Sequence, residues 1–235
     1  MRCRNDLDLY ERNADRWWDR DGHTFRSLHA VNDFRLALLR EWFAGRLEGL
    51  RVADLGCGGG LLAVPLIRED GARLVGVDIG AASVAAARSR GGPRFVRGDV
   101  LRVPLAADAF DLVLLSDVVE HVSDAARALR EASRVLVPGG SLYVSTLNRT
   151  RRAKRLAVDL AEGIGLVPRG THDAEMFVEP EHLAREGAAV GLALERLQGE
   201  AVDVWRTLRR WAITLRKSDD VSVTYSALFR KERPS

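Results

Sequence analysis

Residues Arg51–Ile79 read RVADLGCGGGLLAVPLIREDGARLVGVDI. Val52–Leu55 is a short apolar run carrying one acid, Asp54, and it breaks into Gly56-Cys57-Gly58-Gly59-Gly60. Leu61–Glu69 then has helical spacing, and Leu74–Val77 is a second apolar run closed by Asp78. The order is strand, glycine turn, helix, strand. Glycines at the alternate positions 56, 58 and 60 let the backbone turn tightly and let a ligand approach without a Cβ in the way. Asp78 follows Gly56 by 22 residues, near the ~20-residue spacing at which an acid ending the second strand bonds ribose hydroxyls.

Two nucleotide readings compete for this turn. Dinucleotide enzymes use G-x-G-x-x-G, with a pyrophosphate on the helix N-terminus. The turn here is D-L-G-C-G-G-G, with an acid two residues before the first glycine. Asp54 would repel a pyrophosphate but suits a cofactor with a cationic amino-acid end, which points to S-adenosylmethionine. Cys57 reads as a small turn residue rather than a nucleophile.

Outside this stretch, 235 residues with 46% hydrophobic and 29% charged side chains describe an ordinary globular chain, with one α/β domain as the default. A net charge of +3 is too weak to argue for nucleic acid. Cys3 and Cys57 make neither a metal spacing nor a disulfide framework. No secretory signal is expected in the charged Met1–Tyr10, and no run approaches the ~18 apolar residues of a spanning helix. A cytoplasmic protein is the expectation.

Along the chain, Leu7–Trp18 and Phe25–Phe43 have helical spacing, with Asn32-Asp33 as an N-cap for the latter part of the second stretch. Both are expected to cover the carboxyl edge of the sheet as a lid, where Trp17 and Trp18 either pack or stack on substrate. Arg94–Arg97 is a third strand; Asp99 beyond it would accept from an adenine amine or cap a turn. Phe110–Leu115 is a buried strand running into Ser116-Asp117-Val118-Val119-Glu120-His121. The positions i, i+3 and i+4 place Asp117, Glu120 and His121 on one face of a helical turn. Two carboxylates and an imidazole there would hold a divalent ion, or Glu120 would orient His121 as a base. Leu129–Val137 reads as a helix, Ser141–Thr146 as a strand, Arg151–Leu166 as a basic amphipathic helix and Pro180–Gly191 as another helix. Leu192–Gly199 and Val221–Phe229 read as the last two strands. The organisation expected is a lid at 1–48, a cofactor-binding core at 49–150, an insertion at 151–180, and a C-terminal helix and strands at 181–235.

Several strings together resemble the ubiquinone-biosynthesis O-methyltransferases: Trp17-Trp18-Asp19, Leu28-His29-x-Val31-Asn32, Arg35, the glycine turn, Glu120-His121-Val122, Ser145–Thr150 (STLNRT) and Pro168–Asp173 (PRGTHD). The resemblance implies a class I methyltransferase fold, α/β and Rossmann-like, with a seven-stranded, mostly parallel sheet between helices and an N-terminal helical lid. It implies O-methylation of a phenolic hydroxyl on a catechol or hydroquinol, as in ubiquinone biosynthesis. It places cofactor contacts on Arg35, Gly56, Asp78 and Ser116. Asp54, Gly58, Ile79, Asp99 and Val100 are counted to the same pocket. Family members with E-x-x-E-H after the fourth strand hold magnesium there; Asp117, Glu120 and His121 would be the ligands in this chain. The family is associated with membrane lipids through the segment matching Arg151–Leu166. One departure stands out: Gly199–Lys217 lacks the family's Tyr-Asn-Pro string and is longer and more basic. The alternative acceptor is therefore a different phenol in a natural-product pathway.

A phenol with pKa near ~10 is mostly protonated at neutral pH, so either the metal or His121 must deal with its proton, with His172 as a second candidate base. A nucleic-acid methyltransferase is disfavoured because no D/N-P-P-Y/F string follows the fourth strand. A non-catalytic binding protein is disfavoured by the intact glycine turn and Asp78. The partners expected are an aromatic small molecule, no nucleic acid, a membrane surface met by 151–166 or by the basic-aromatic 204–217, and a second copy in a homodimer. For 204–217 a substrate cover and a solvated helix with Trp205, Leu208 and Ile213 tucked inward are the other readings.

Overall fold

The glycine stretch folds as β1 (Arg51–Leu55), a turn, α3 (Ala63–Arg68) and β2 (Arg73–Asp78). Gly56, Gly58 and Gly60 hold φ of 79°, 50° and 83°, the left-handed region open to glycine at little cost. The chain is described by a computed structural model over residues 5–92 and 94–233; Cys3, read above, lies outside the described residues.

Among the described residues, eight strands form one sheet in the order β3-β2-β1-β4-β5-β8-β6-β7. β3 is Phe95–Arg97, β4 Phe110–Ser116, β5 Leu136–Leu147, β6 Leu192–Val202, β7 Leu215–Ser218 and β8 Thr224–Lys231. The first five in this order are parallel; β8 runs antiparallel between β5 and β6, and β7 pairs antiparallel with β6. Strand order reverses between β1 and β4, so a crevice opens at their carboxyl ends. β1 and β4 are buried along almost their whole length, which is why they read as unbroken apolar runs. α4 (Ala81–Gly91) and α5 (Ala125–Val135) belong to the layers that cover the sheet.

Three expectations are corrected here. The sheet has eight strands rather than seven, because β6 runs on to Val202 and the departing segment folds back on it as β7. α2 runs unbroken over Arg26–Trp42; Asn32 caps nothing and instead donates to the Leu28 carbonyl one turn earlier, at 2.9 Å. Arg151–Leu166 is not one α-helix: α6 (Arg151–Ala153) widens into a π-helical stretch, Lys154–Ala161.

The lid forms from α1 (Asp8–Arg12), a 3₁₀ turn at Ala14–Arg16, and α2. Trp17 is buried and packs; its ring stacks on Phe25 at 4.3 Å between centroids, and its indole N–H donates to Ser83 Oγ at 3.1 Å. Glu11 accepts from the free N–H groups of Ala82 and Ser83 at the start of α4, 3.1 and 3.3 Å away. Ser27 Oγ donates to the Leu166 carbonyl and accepts from Ile213 N–H, tying lid, insertion and C-terminal segment together. α7 covers Pro180–Ala188 and α8 Val204–Arg210. On α8, Trp205 is 84% and Leu208 56% exposed, so neither tucks into the body.

Candidate active site

A cavity of about 590 Å³ lies in the crevice between β1 and β4, within the size range of small-molecule sites. Asp54, Gly56, Gly58, Asp78, Ile79, Asp99, Val100 and Ser116 all line it. Asp117 and His121 line it from the β4 end, and Tyr10, Glu11 and Trp17 from the lid. The sequence reading missed Tyr10 and Glu11, because nothing local marks a lid residue that meets its partners across the fold.

The donor set fits a cationic nucleoside. Asp54 is buried, takes no hydrogen bond from the described residues, and has its carboxyl pushed up to about 7 by burial and then by Asp78. A buried acid without a partner favours a cation beside it. A Cβ on Gly56 would stand 2.5 Å from Val118, so a side chain there would need Val118 to move. Burial raises the Asp78 pKa, while Gly58 N–H and Gly80 N–H, each 2.8 Å from its carboxylate, oppose the rise. These two bonds aim the carboxylate across the turn. Asp99 caps Leu101 N–H with Oδ1 at 2.8 Å, which leaves Oδ2 for a ligand amine. Ile79 is 55% exposed in the cavity wall, an apolar face for a flat ring.

Arg35 is not among the lining residues. It is buried beneath the cavity, bonded to Asp117 and 3.5 Å from Glu200. Burial alone would lower its pKa, but Asp117 and Glu200 hold it well above the ordinary value. Its guanidinium is thus taken up by two carboxylates. Glu200, unremarked in the sequence, also accepts from Thr224 Oγ1 at 3.2 Å and from Ser226.

The acid–acid–imidazole cluster does not converge. Residues 117–121 form a turn, not a helix, because Asp117 sits at φ 54° and swings its side chain to Arg35. Glu120 is 1% exposed, with Oε2 accepting from Thr146 Oγ1 at 2.8 Å and Oε1 without a partner among the described residues. Burial and then Asp117 push its pKa up, so it favours the neutral acid. Among the described residues, no three such side chains stand close enough to hold an ion. Asp117, Glu120 and His121 are therefore not gathered into the expected three-ligand magnesium site.

Of the three, Asp117 and His121 line the cavity, and Asp117 is taken up by Arg35. Burial, and then His172, lower the His121 pKa to about 4, so it is neutral at physiological pH. His172 stacks beside it at 5.8 Å but does not line the cavity; its Nδ1 lies 3.2 Å from Glu162 Oε1. His172 thus flanks His121 from outside the cavity lining.

A family profile described as "Methyltransferase domain" matches residues 53–144. The ubiquinone biosynthesis O-methyltransferase of Methylobacterium sp. (strain 4-46) is 39% identical, over 96% of this chain and 93% of that protein. The proteins of the same name from Rhizobium rhizogenes (38%; 97% and 95% covered) and Xanthomonas oryzae pv. oryzae (40%; 88% and 87%) agree. The chain belongs to the ubiquinone biosynthesis O-methyltransferase family. It is an S-adenosylmethionine-dependent methyltransferase. Solved structures repeat the fold at low identity. A possible histamine N-methyltransferase from Thermotoga maritima aligns with a TM-score of 0.66 at 21% identity, over 95% of this chain and 99% of that one. The magnesium protoporphyrin IX methyltransferase of Synechocystis, with bound SAH, does so with 0.66 at 19%, over 96% and 97%.

Proposed function

We propose that this chain methylates a phenolic hydroxyl of a catechol- or hydroquinol-like precursor in ubiquinone biosynthesis, with His121 as the general base and no metal step. The supporting observation is that the His121 imidazole and the glycine turn with Asp54 and Asp78 share one cavity. The names of relatives covering nearly the whole chain favour the quinone pathway over a natural-product acceptor.

S-adenosylmethionine, when bound, would supply a methyl group on a cationic sulfonium whose leaving group is a neutral thioether. In that cavity Asp54 would hold the cationic end, Asp78 the ribose hydroxyls and Asp99 Oδ2 the adenine amine, with Ile79 and Val100 against the ring. His121 Nε2 accepts the phenolic proton as the new O–C bond forms, so free phenolate need not accumulate, and the ring later loses that proton to solvent. Asp117 beside it favours the charged ring. The lid excludes water and holds the acceptor in line.

His121→Ala is expected to lower kcat by ~10²–10⁴, the usual range for a general base, with donor affinity unchanged. Wild-type turnover in that variant would refute the assignment. Methylation of polyprenylated catechols in preference to unprenylated plant-type phenols tests the acceptor.

The same reading includes peripheral contact with an anionic membrane through α8, where Trp205, Leu208 and Trp211 are exposed beside Arg206, Arg209 and Arg210. Among the described residues, no helix is long and apolar enough to cross a membrane.

A further inference from the structure

His121 is held by a residue far away in the chain. Asn5 Oδ1 lies 2.5 Å from His121 Nδ1, and Asn5 Nδ2 donates to the His121 carbonyl oxygen at 3.1 Å. The same Nδ2 lies 3.3 Å from Met176 Sδ. The two contacts with His121 leave no freedom in the amide. A backbone carbonyl can only accept, so the NH₂ end must face it and the oxygen must face Nδ1. An amide oxygen can only accept, so Nδ1 must carry the ring proton. In a neutral imidazole the lone pair then lies on Nε2.

From this geometry we infer that Asn5 is a positioning residue, which fixes His121 as its Nδ1–H tautomer with the Nε2 lone pair free for the acceptor. The inference rests on His121 being the base. The neighbours hold the ring plane: Tyr10 meets it edge-on at 6.3 Å and 80°, and His172 stacks on it at 5.8 Å and 22°. No hydrogen bond from the described residues reaches Nε2.

Asn5 itself is held in place. Its φ of 57° is one that asparagine tolerates better than most residues, and Asp6 N–H donates to the Gly170 carbonyl at 3.0 Å. Both Asn5 and Tyr10 precede the 3₁₀ turn of the lid. The segment that covers the cavity therefore also holds the imidazole in place. An imidazole without this acceptor reverts to the Nε2–H form that free histidine prefers, which aims a donor rather than an acceptor at the phenol.

The test is nitrogen-15 NMR of the histidine rings in full-length protein, at a pH where His121 is neutral, with wild type, Asn5→Ala and Asn5→Asp compared. Wild type is expected to show protonated Nδ1 and bare Nε2. Asn5→Ala is expected to move His121 toward Nε2–H and to lower kcat about tenfold, a fraction of the ~10²–10⁴ a base contributes, with donor KM unchanged. Asn5→Asp keeps the acceptor and loses the donor, so it should retain the Nδ1–H form and recover most of kcat. An Nε2–H ring in wild type, or the same tautomer in wild type and Asn5→Ala, overturns the inference. A changed tautomer with unchanged kcat would leave Asn5's control of the ring standing and overturn instead the assignment of His121 as base.

Discussion

Trp17 lies so close over the glycine turn that a methyl group on Gly59 would stand 2.2 Å from Cγ of the indole. The lid is thus seated directly on the motif that marks the cofactor site, and Gly59 is needed for space rather than for an unusual backbone angle. Gly59→Ala should force Trp17 off Ser83 and Phe25 and lift the lid. Donor affinity is expected to fall about tenfold, or ~1.4 kcal/mol. Calorimetry with S-adenosylmethionine, together with faster limited proteolysis of the lid, checks this; unchanged values on both would show that Trp17 can shift freely.

Asp54 makes donor binding depend on pH. Its carboxyl, pushed up to about 7, is largely protonated below that value, and a cation beside it favours the ionised form. Binding therefore releases a proton at lower pH. Affinity should be steady above about pH 7 and fall below it, by up to about tenfold per pH unit. Asp54→Asn removes the titrating group and should flatten the profile while weakening binding at pH 8. Calorimetry from pH 5.5 to 8 in buffers of differing ionisation heat reads both the affinity and the proton.

Glu120 separates a metal enzyme from one without. Buried and favouring its neutral form, it is closely mimicked by glutamine, which keeps an acceptor for Thr146. Glu120→Gln is expected to change stability by less than about 1 kcal/mol and to keep turnover. Turnover of the wild type should likewise survive exhaustive chelation. Activity lost on chelation and restored by magnesium would return the cluster to metal binding.

Charge removal on α8 should act on membranes and not on chemistry. Replacing Arg206, Arg209 and Arg210 together by glutamine removes about 3 kcal/mol of attraction to an anionic surface, at ~1 kcal/mol each, or roughly a hundredfold in partitioning. Flotation with phosphatidylglycerol vesicles reads this. Turnover on a soluble catechol should be unaffected, since these side chains lie outside the cavity lining.

What the chain carried on its face was the part set by neighbours in sequence. The DLGCGGG turn, the acid ending β2, Asp99 after β3 and Ser116 ending β4 were legible, because glycines at positive φ and strand ends in a βαβ fold place those residues by local geometry alone. Folding decided the rest. The i, i+3, i+4 spacing of Asp117, Glu120 and His121 promised one face. A left-handed residue at 117 broke that face, and the pull came from Arg35, 82 positions away. Glu200 meets Arg35 across 165 positions, and Asn5 meets His121 across 116. Periodicity says nothing about such pairs. Their partners adjoin only after the sheet order brings β4, β5, β8 and β6 together and the lid closes over their ends, and burial then sets which of the acids is charged.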